Sequence, residues 1–138
     1  MKVSVLIIDD SDVDCYLIER DLQATKYDVS VTIKENGADA LKYFSAINAE
    51  GEAGGAAKHP DLVLLDINMP LMDGMEFLSQ FDALRKTVPL DHTAILMFTS
   101  SQNMADIEAS LEYDFVHGYL VKGEYTKDDL EEIISRSI

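Results

Sequence analysis

The sequence predicts an α/β fold, a five-stranded parallel sheet covered by helices on both faces, and three observations carry the prediction. Apolar runs ending at Ile8, Leu65 and Phe98 read as strands buried on both faces. Each run stops abruptly in polar residues: Asp9-Asp10, Asp66, and Thr99-Ser100-Ser101. Between the runs lie stretches with apolar residues at helical spacing and capping residues at their starts.

Taken in order, Val3 to Ile8 is apolar apart from Ser4 and forms the first strand. Ser11-Asp12-Val13-Asp14 has the form of a capping box, and its acids suit a helix N-terminus. Val13 and Leu17, then Ile18 and Leu22, repeat at helical spacing and carry the first helix to about Gln23. Cys15 reads as a small apolar side chain on that helix. Val29, Val31 and Ile33 alternate with polar residues, as in a strand with one wet face at a sheet edge. Asn36-Gly37-Ala38-Asp39 opens the second helix, with Ala40, Leu41, Phe44 and Ile47 as its inner stripe. Asn48 to Lys58 is rich in Gly, Ala and Glu without periodicity and reads as an exposed loop.

Leu62 to Leu65 is the third strand, delivering Asp66 to a loop that Pro70 and Asp73-Gly74 mark as a turn. Asp73 to Glu76 opens the third helix, with Phe77, Leu78, Phe81 and Leu84 as its stripe. Ala94 to Phe98 is the fourth strand. Asn103 to Asp106 opens the fourth helix, with Met104, Ile107 and Leu111 facing inward. Gly118 to Val121 is a short fifth strand ending in Lys122. Thr126 to Asp129 opens the fifth helix, carrying Leu130, Ile133, Ile134 and Ile138 inward. Three doubly buried strands and one edge strand match the flavodoxin-like order 2-1-3-4-5, whose ligand site lies where strands 1 and 3 part.

Composition limits the partners. With 11 basic and 26 acidic residues the net charge is −15, which repels phosphate backbones and anionic membranes. A length of 138 residues predicts one domain spanning 1–138, and 47% hydrophobic residues give it a core. One cysteine forms no internal disulfide and fits a cytoplasmic setting. No apolar run is long enough to span a bilayer, and no leader of signal-peptide type opens the chain. His59, His92 and His117 have no metal-ligand spacing and read as surface or loop histidines.

In this topology Asp9, Asp10 and Asp66 converge at one end of the sheet. Three carboxylates in a low dielectric repel one another and call for a cation. Lys122 is one candidate, and Mg²⁺, which favours carboxylates plus a phosphate oxygen, is another. Thr99 adds a hydroxyl. Each residue alone has an ordinary reading as a cap or a solvated charge. Together, a carboxylate nucleophile, metal, ammonium and hydroxyl describe phosphoryl transfer to an aspartate.

The set Ile8-Asp9-Asp10, Leu65-Asp66-Ile67-Asn68-Met69-Pro70 with Asp73-Gly74, Phe98-Thr99-Ser100, and Gly118-Tyr119-Leu120-Val121-Lys122 resembles the receiver domain of two-component response regulators, over essentially the whole chain. The resemblance implies that Asp66 is the phosphoacceptor, modified by a histidine kinase or histidine phosphotransfer protein. It implies Mg²⁺ held directly by Asp10 and Asp66, by the backbone carbonyl of Asn68, and by Asp9 largely through water. Lys122 would bind a phosphoryl oxygen. Thr99 would move toward the phosphoryl group while Tyr119, the switch aromatic, turns inward. The side chains of Asn68 and Ser101 would tune dephosphorylation. The output would be protein binding through the fourth helix, fifth strand and fifth helix, by a monomer or a phosphorylation-dependent dimer, with no output domain. Such a protein is no enzyme beyond catalysing its own phosphorylation and dephosphorylation.

One departure stands out. The family usually has proline after the lysine, often with a cis bond, and here Gly123 follows Lys122. A cis bond without proline costs about 3 kcal/mol, which predicts a trans turn through Gly123. Gly123 is also what points to one rival, a degenerate receiver that binds partners unphosphorylated. A haloacid-dehalogenase-type phosphatase is a second rival, but it expects an aspartate two residues after its nucleophile. Ser11 follows Asp9 at that distance, and Asn68 follows Asp66. A flavodoxin would need a glycine- and hydroxyl-rich loop after the first strand.

Overall fold

The computed structural model describes residues 2–52, 59–88, 90, 92–100 and 104–138, with the side chains of 47–52 left aside. Strands β1 (Lys2–Ile8), β2 (Asp28–Lys34), β3 (Leu62–Leu65), β4 (Ala94–Thr99) and β5 (Val116–Val121) alternate with helices α1 (Asp12–Gln23), α2 (Gly37–Glu52), α3 (Gly74–Leu84), α4 (Met104–Ser110) and α5 (Lys127–Ser137). The sheet is parallel throughout, in the order β2-β1-β3-β4-β5. The flavodoxin-like α/β fold is therefore as the sequence predicts, with β2 at an edge.

The pleat sorts side chains into two cores. Val5, Ile7, Leu64 and Leu96 pack with Ile18 and Leu22 of α1 and Leu130 and Ile134 of α5. Leu6, Ile8, Leu65 and Met97 pack with Phe44 of α2, Phe77 and Phe81 of α3, and Ile107 of α4. Both faces of β3 and β4 are consumed, which is why those strands read as unbroken apolar runs.

Several inner stripes differ from expectation. Val13 is 67% exposed and Leu17 also faces out, whereas Cys15, Ile18 and Leu22 are buried. Val13 and Ile18 are five residues apart, about 140° around the helix, so both pairs cannot face one core. On α4, Ile107 and Ser110 are buried while Met104 and Leu111 are exposed, Leu111 lying beyond the helix end. Ile138 is exposed past α5. Helix α2 continues to Glu52, through residues expected to be loop. Ala49, Glu50 and Glu52 are good helix formers, and their propensity outweighs the missing apolar period. The remainder of that expected loop, 53–58, lies outside the described residues. His59 is buried rather than superficial, stacked on Phe44 with ring centroids 5.9 Å apart.

Four helices open on the predicted caps. Ser11, Asn36, Asp73 and Thr126 accept from the backbone N–H groups of Asp14, Asp39, Glu76 and Asp129. Only around Thr126 is the reciprocal capping box closed by its acid. At Ser11 the backbone N–H donates instead to Asp9 Oδ1 at 2.9 Å.

Candidate functional site

The sheet's hydrogen-bond ladders run out onto the site residues themselves. Asp9 N–H donates to Lys34 O at 3.0 Å, Asp66 N–H to Ile8 O at 2.9 Å, and Lys122 N–H to Thr99 O at 2.9 Å. Two carboxylates and one ammonium therefore spring from backbone fixed by β pairing rather than from free loop. The register sets Ile8, Leu65, Met97 and Tyr119 in one row, and β4 and β5 run two residues further, to Thr99 and Val121, so the site residues leave neighbouring strands at one end of the sheet. Gly74 closes the site from below, its N–H donating to Ile67 O at 2.8 Å. A Cβ on Gly74 would lie 2.3 Å from the Asp66 carbonyl oxygen. Only glycine allows that approach.

Asp9 is 1% exposed and Asp66 6% exposed, while Asp10 lies open to solvent. Each of the three offers a carboxylate oxygen within 4.8 Å of the others. Asp66 Oδ1 accepts from Ile67 N–H at 2.9 Å. Lys122 Nζ reaches Asp9 Oδ2 and Asp14 Oδ2, each at 2.9 Å, and Asp66 Oδ1 at 3.6 Å. Its ammonium also sits 5.3 Å from the centroid of the Phe98 ring.

These contacts set the protonation states. Burial, then the neighbouring Asp9, pushes the Asp66 carboxyl up to about 6, against the opposing pull of Lys122. Burial alone favours a neutral Lys122, but its contacts with Asp9 and Asp14 outweigh it and hold the ammonium above its usual range. Burial and then Asp9 push the Cys15 thiol up to about 12, which makes it an inert packing group.

The predicted residues Asp9, Asp10, Asp66 and Lys122 thus come together, and buried Thr99 ends β4 beside them. Asn68 is exposed in the loop after β3. Tyr119, 42% exposed, pairs with Met97 on β4, two residues before Thr99 on the same face. Ser101 lies outside the described residues. Gly123 has φ of 78°, and among the described residues no peptide bond is cis, as the sequence predicts for this turn. Asp14 was legible only as a cap partner, and its ion pair with Lys122 was missed, as was the hydrogen bond from Tyr125 Oη to Asp21 Oδ2 at 2.6 Å. The available signal was their spacing: Asp14 and Asp21 stand two turns apart on one face of α1.

A flavodoxin-like sheet with clustered carboxylates and one lysine at its switch point defines the class as an α/β protein with an acidic, cation-compensated site. The response regulator receiver domain family matches residues 5–135, and the chain belongs to that family, the receiver domain of two-component systems. It is 30% identical to response regulator Rcp1 of Synechocystis, over 90% of this chain and 79% of that protein. It is 31% identical to the transcriptional regulatory protein PrrA of Mycobacterium leprae over 86% of this chain, but spans only 42% of that longer protein. The Mn²⁺-bound structure of Rcp1 superposes with a TM-score of 0.67 at 27% identity, covering 96% of this chain and 90% of that one. A two-component response regulator from Cytophaga hutchinsonii gives a TM-score of 0.78 at 25% identity, covering 99% and 98%. The phosphorylated cyanobacterial phytochrome response regulator RcpA gives 0.69 at 25% identity, covering 99% and 89%.

Proposed function

We propose that Asp66 accepts a phosphoryl group from a histidine kinase or histidine phosphotransfer protein, and that the modified domain signals through a protein-binding surface. The observation that carries this reading is the buried Asp66 carboxylate, set within 4.8 Å of two other carboxylates and 3.6 Å from an ammonium. An Asp66 oxygen attacks the donor's phosphorus. An O–P bond forms, the bond from phosphorus to the donor imidazole nitrogen breaks, and that electron pair leaves with the nitrogen. With its carboxyl at about 6, Asp66 is ionised at neutral pH yet poorly solvated, a state that favours attack. Lys122 stands ready to neutralise a phosphoryl oxygen, and the Thr99 hydroxyl to hydrogen-bond one.

The donor set fits Mg²⁺. Asp9, Asp10 and Asp66 bring three carboxylate oxygens within 4.8 Å of one another, and Lys122, itself shared with Asp14, is a single charge against them. Such a set of hard oxygen ligands suits a divalent cation. Asp10 and Asp66 would hold it directly, Asn68 through its backbone carbonyl, and Asp9 largely through water. Bound there, Mg²⁺ supplies positive charge to the phosphoryl oxygens. The Mn²⁺-bound form of Rcp1 and the phosphorylated form of RcpA support both parts of the reading by analogy.

Signalling follows from Thr99 moving toward the phosphoryl group while Tyr119 turns inward from its exposed position. That shift alters the surface of α4, β5 and α5, which binds a partner protein or, in a phosphorylation-dependent dimer, a second copy. Asn68 and Ser101 tune how fast water removes the group. A net charge of −15 disfavours nucleic acid as the direct target. No helix among the described residues is long and apolar enough to cross a membrane.

Incubation with acetyl phosphate, followed by intact mass, tests the reading. It predicts one phosphoryl adduct with Mg²⁺ and none in EDTA. Repeated turnover of a generic phosphate ester without an adduct would instead assign a phosphatase.

A further inference from the structure

The Lys122 backbone is held by its N–H on Thr99 O, but the turn that follows it has little to stiffen it locally. Gly123 has φ of 78°, and a Cβ there would meet nothing within 4 Å. One turn bond, Glu124 N–H to Val121 O at 3.0 Å, closes it. Lys122 has a long, rotatable stem, so a fixed backbone does not by itself fix the ammonium.

Besides Asp9 and Asp66, restraint comes from α1. Asp14 and Asp21 are seven residues apart, about 10.5 Å along the same helix face. Asp14 takes the Lys122 ammonium at 2.9 Å, and Asp21 accepts from Tyr125 Oη at 2.6 Å. The Tyr125 ring packs on Phe98, centroids 6.3 Å apart, and Phe98 in turn lies beneath the Lys122 ammonium. The two carboxylates thus grip the turn on both sides of Gly123, with Phe98 as the floor. Burial, and then Asp21, keep the Tyr125 phenol protonated, so the donor is present throughout the physiological pH range.

We propose that Asp14 and the Tyr125–Asp21 hydrogen bond are positioning elements for phosphoryl transfer: they clasp the β5–α5 turn to α1 and aim Lys122 at Asp66. The proposal rests on Lys122 being the group that meets the phosphoryl oxygen. Neither Asp14 nor Tyr125 touches the reacting atoms, and both act through the lysine.

Two readouts test it. The first needs no phosphorylation: the Lys122 ammonium, observed by ¹⁵N-detected lysine NMR in metal-free protein and assigned by its loss in Lys122→Ala. The clasp predicts a slowly exchanging signal in the parent, faster exchange with water in Tyr125→Phe and Asp21→Asn, and loss in Asp14→Asn. A parent ammonium in fast exchange, or one unchanged by all three variants, would overturn the proposal. The second is the initial rate with acetyl phosphate at saturating Mg²⁺. Tyr125→Phe lowers it about tenfold, short of the hundredfold that a 1 Å misplacement can cost. The Mg²⁺ concentration giving half-maximal rate stays unchanged. In a Lys122→Ala background the same substitution has no further effect. A loss that persists without the lysine means a general structural role and sinks the idea. A parent that accepts no phosphoryl group defeats the function proposed above, and the ammonium signal then decides the clasp alone.

Discussion

Asp66 is held in a state that costs stability. Its carboxyl is raised to about 6 by burial and by Asp9, so folding favours its neutral form. The folded state binds the extra proton between the ordinary carboxylate value and about 6, and stability falls as pH rises through that window. Asp66→Asn in metal-free protein should therefore be more stable than the parent at pH 7, by about 2 kcal/mol. The gain should fade as pH drops from about 6 toward 4. Urea unfolding at several pH values measures it, and a gain independent of pH would contradict the assigned cause. The acidic pair and Asp66 were legible because strand-end carboxylates interrupt apolar runs. The raised carboxyl was not, since it depends on distances that only the folded sheet supplies.

Among the elements, β1, β3, β4 and β5 matter because their carboxyl ends lie side by side at one end of the sheet, and α3 because its first residue seals the Asp66 backbone. Gly74→Ala would place a methyl carbon against the Asp66 carbonyl oxygen, where the space is 2.3 Å. Overpacking against backbone should cost about 2 kcal/mol in urea unfolding and slow phosphorylation together. An unchanged stability would show that α3 can retreat freely. The sequence marked Asp73-Gly74 as a turn but carried no sign of this approach. Strands were the most readable elements, because doubly buried β3 and β4 tolerate no polar interruption. Helix faces were less readable: α1 offers Val13, Tyr16 and Leu17 to solvent, and such apolar residues at helical spacing mimic a core stripe. Asp14 escaped notice for a related reason. Its spacing from Ser11 satisfies a cap, while its carboxylate reaches Lys122, 108 residues away in the chain.

At the scale of the molecule, two cores clamp one sheet, and the carboxyl ends of its strands gather three carboxylates and a lysine at one point. The order of strands was readable from burial patterns, and the convergence of Asp9, Asp66 and Lys122 followed from it. What the sequence lacked was the pairing pattern among those charges, above all the lysine shared by three aspartates. The central claim is that Asp66, rather than Asp9 or Asp10, becomes the acyl phosphate. Borohydride reduction converts an aspartyl phosphate to homoserine, and tandem mass spectrometry of the peptides locates it. After treatment with Mg²⁺ and a phosphoryl donor, homoserine should appear at position 66 alone. Homoserine at 9 or 10, or at no position when a phosphohistidine protein serves as donor, would contradict the account.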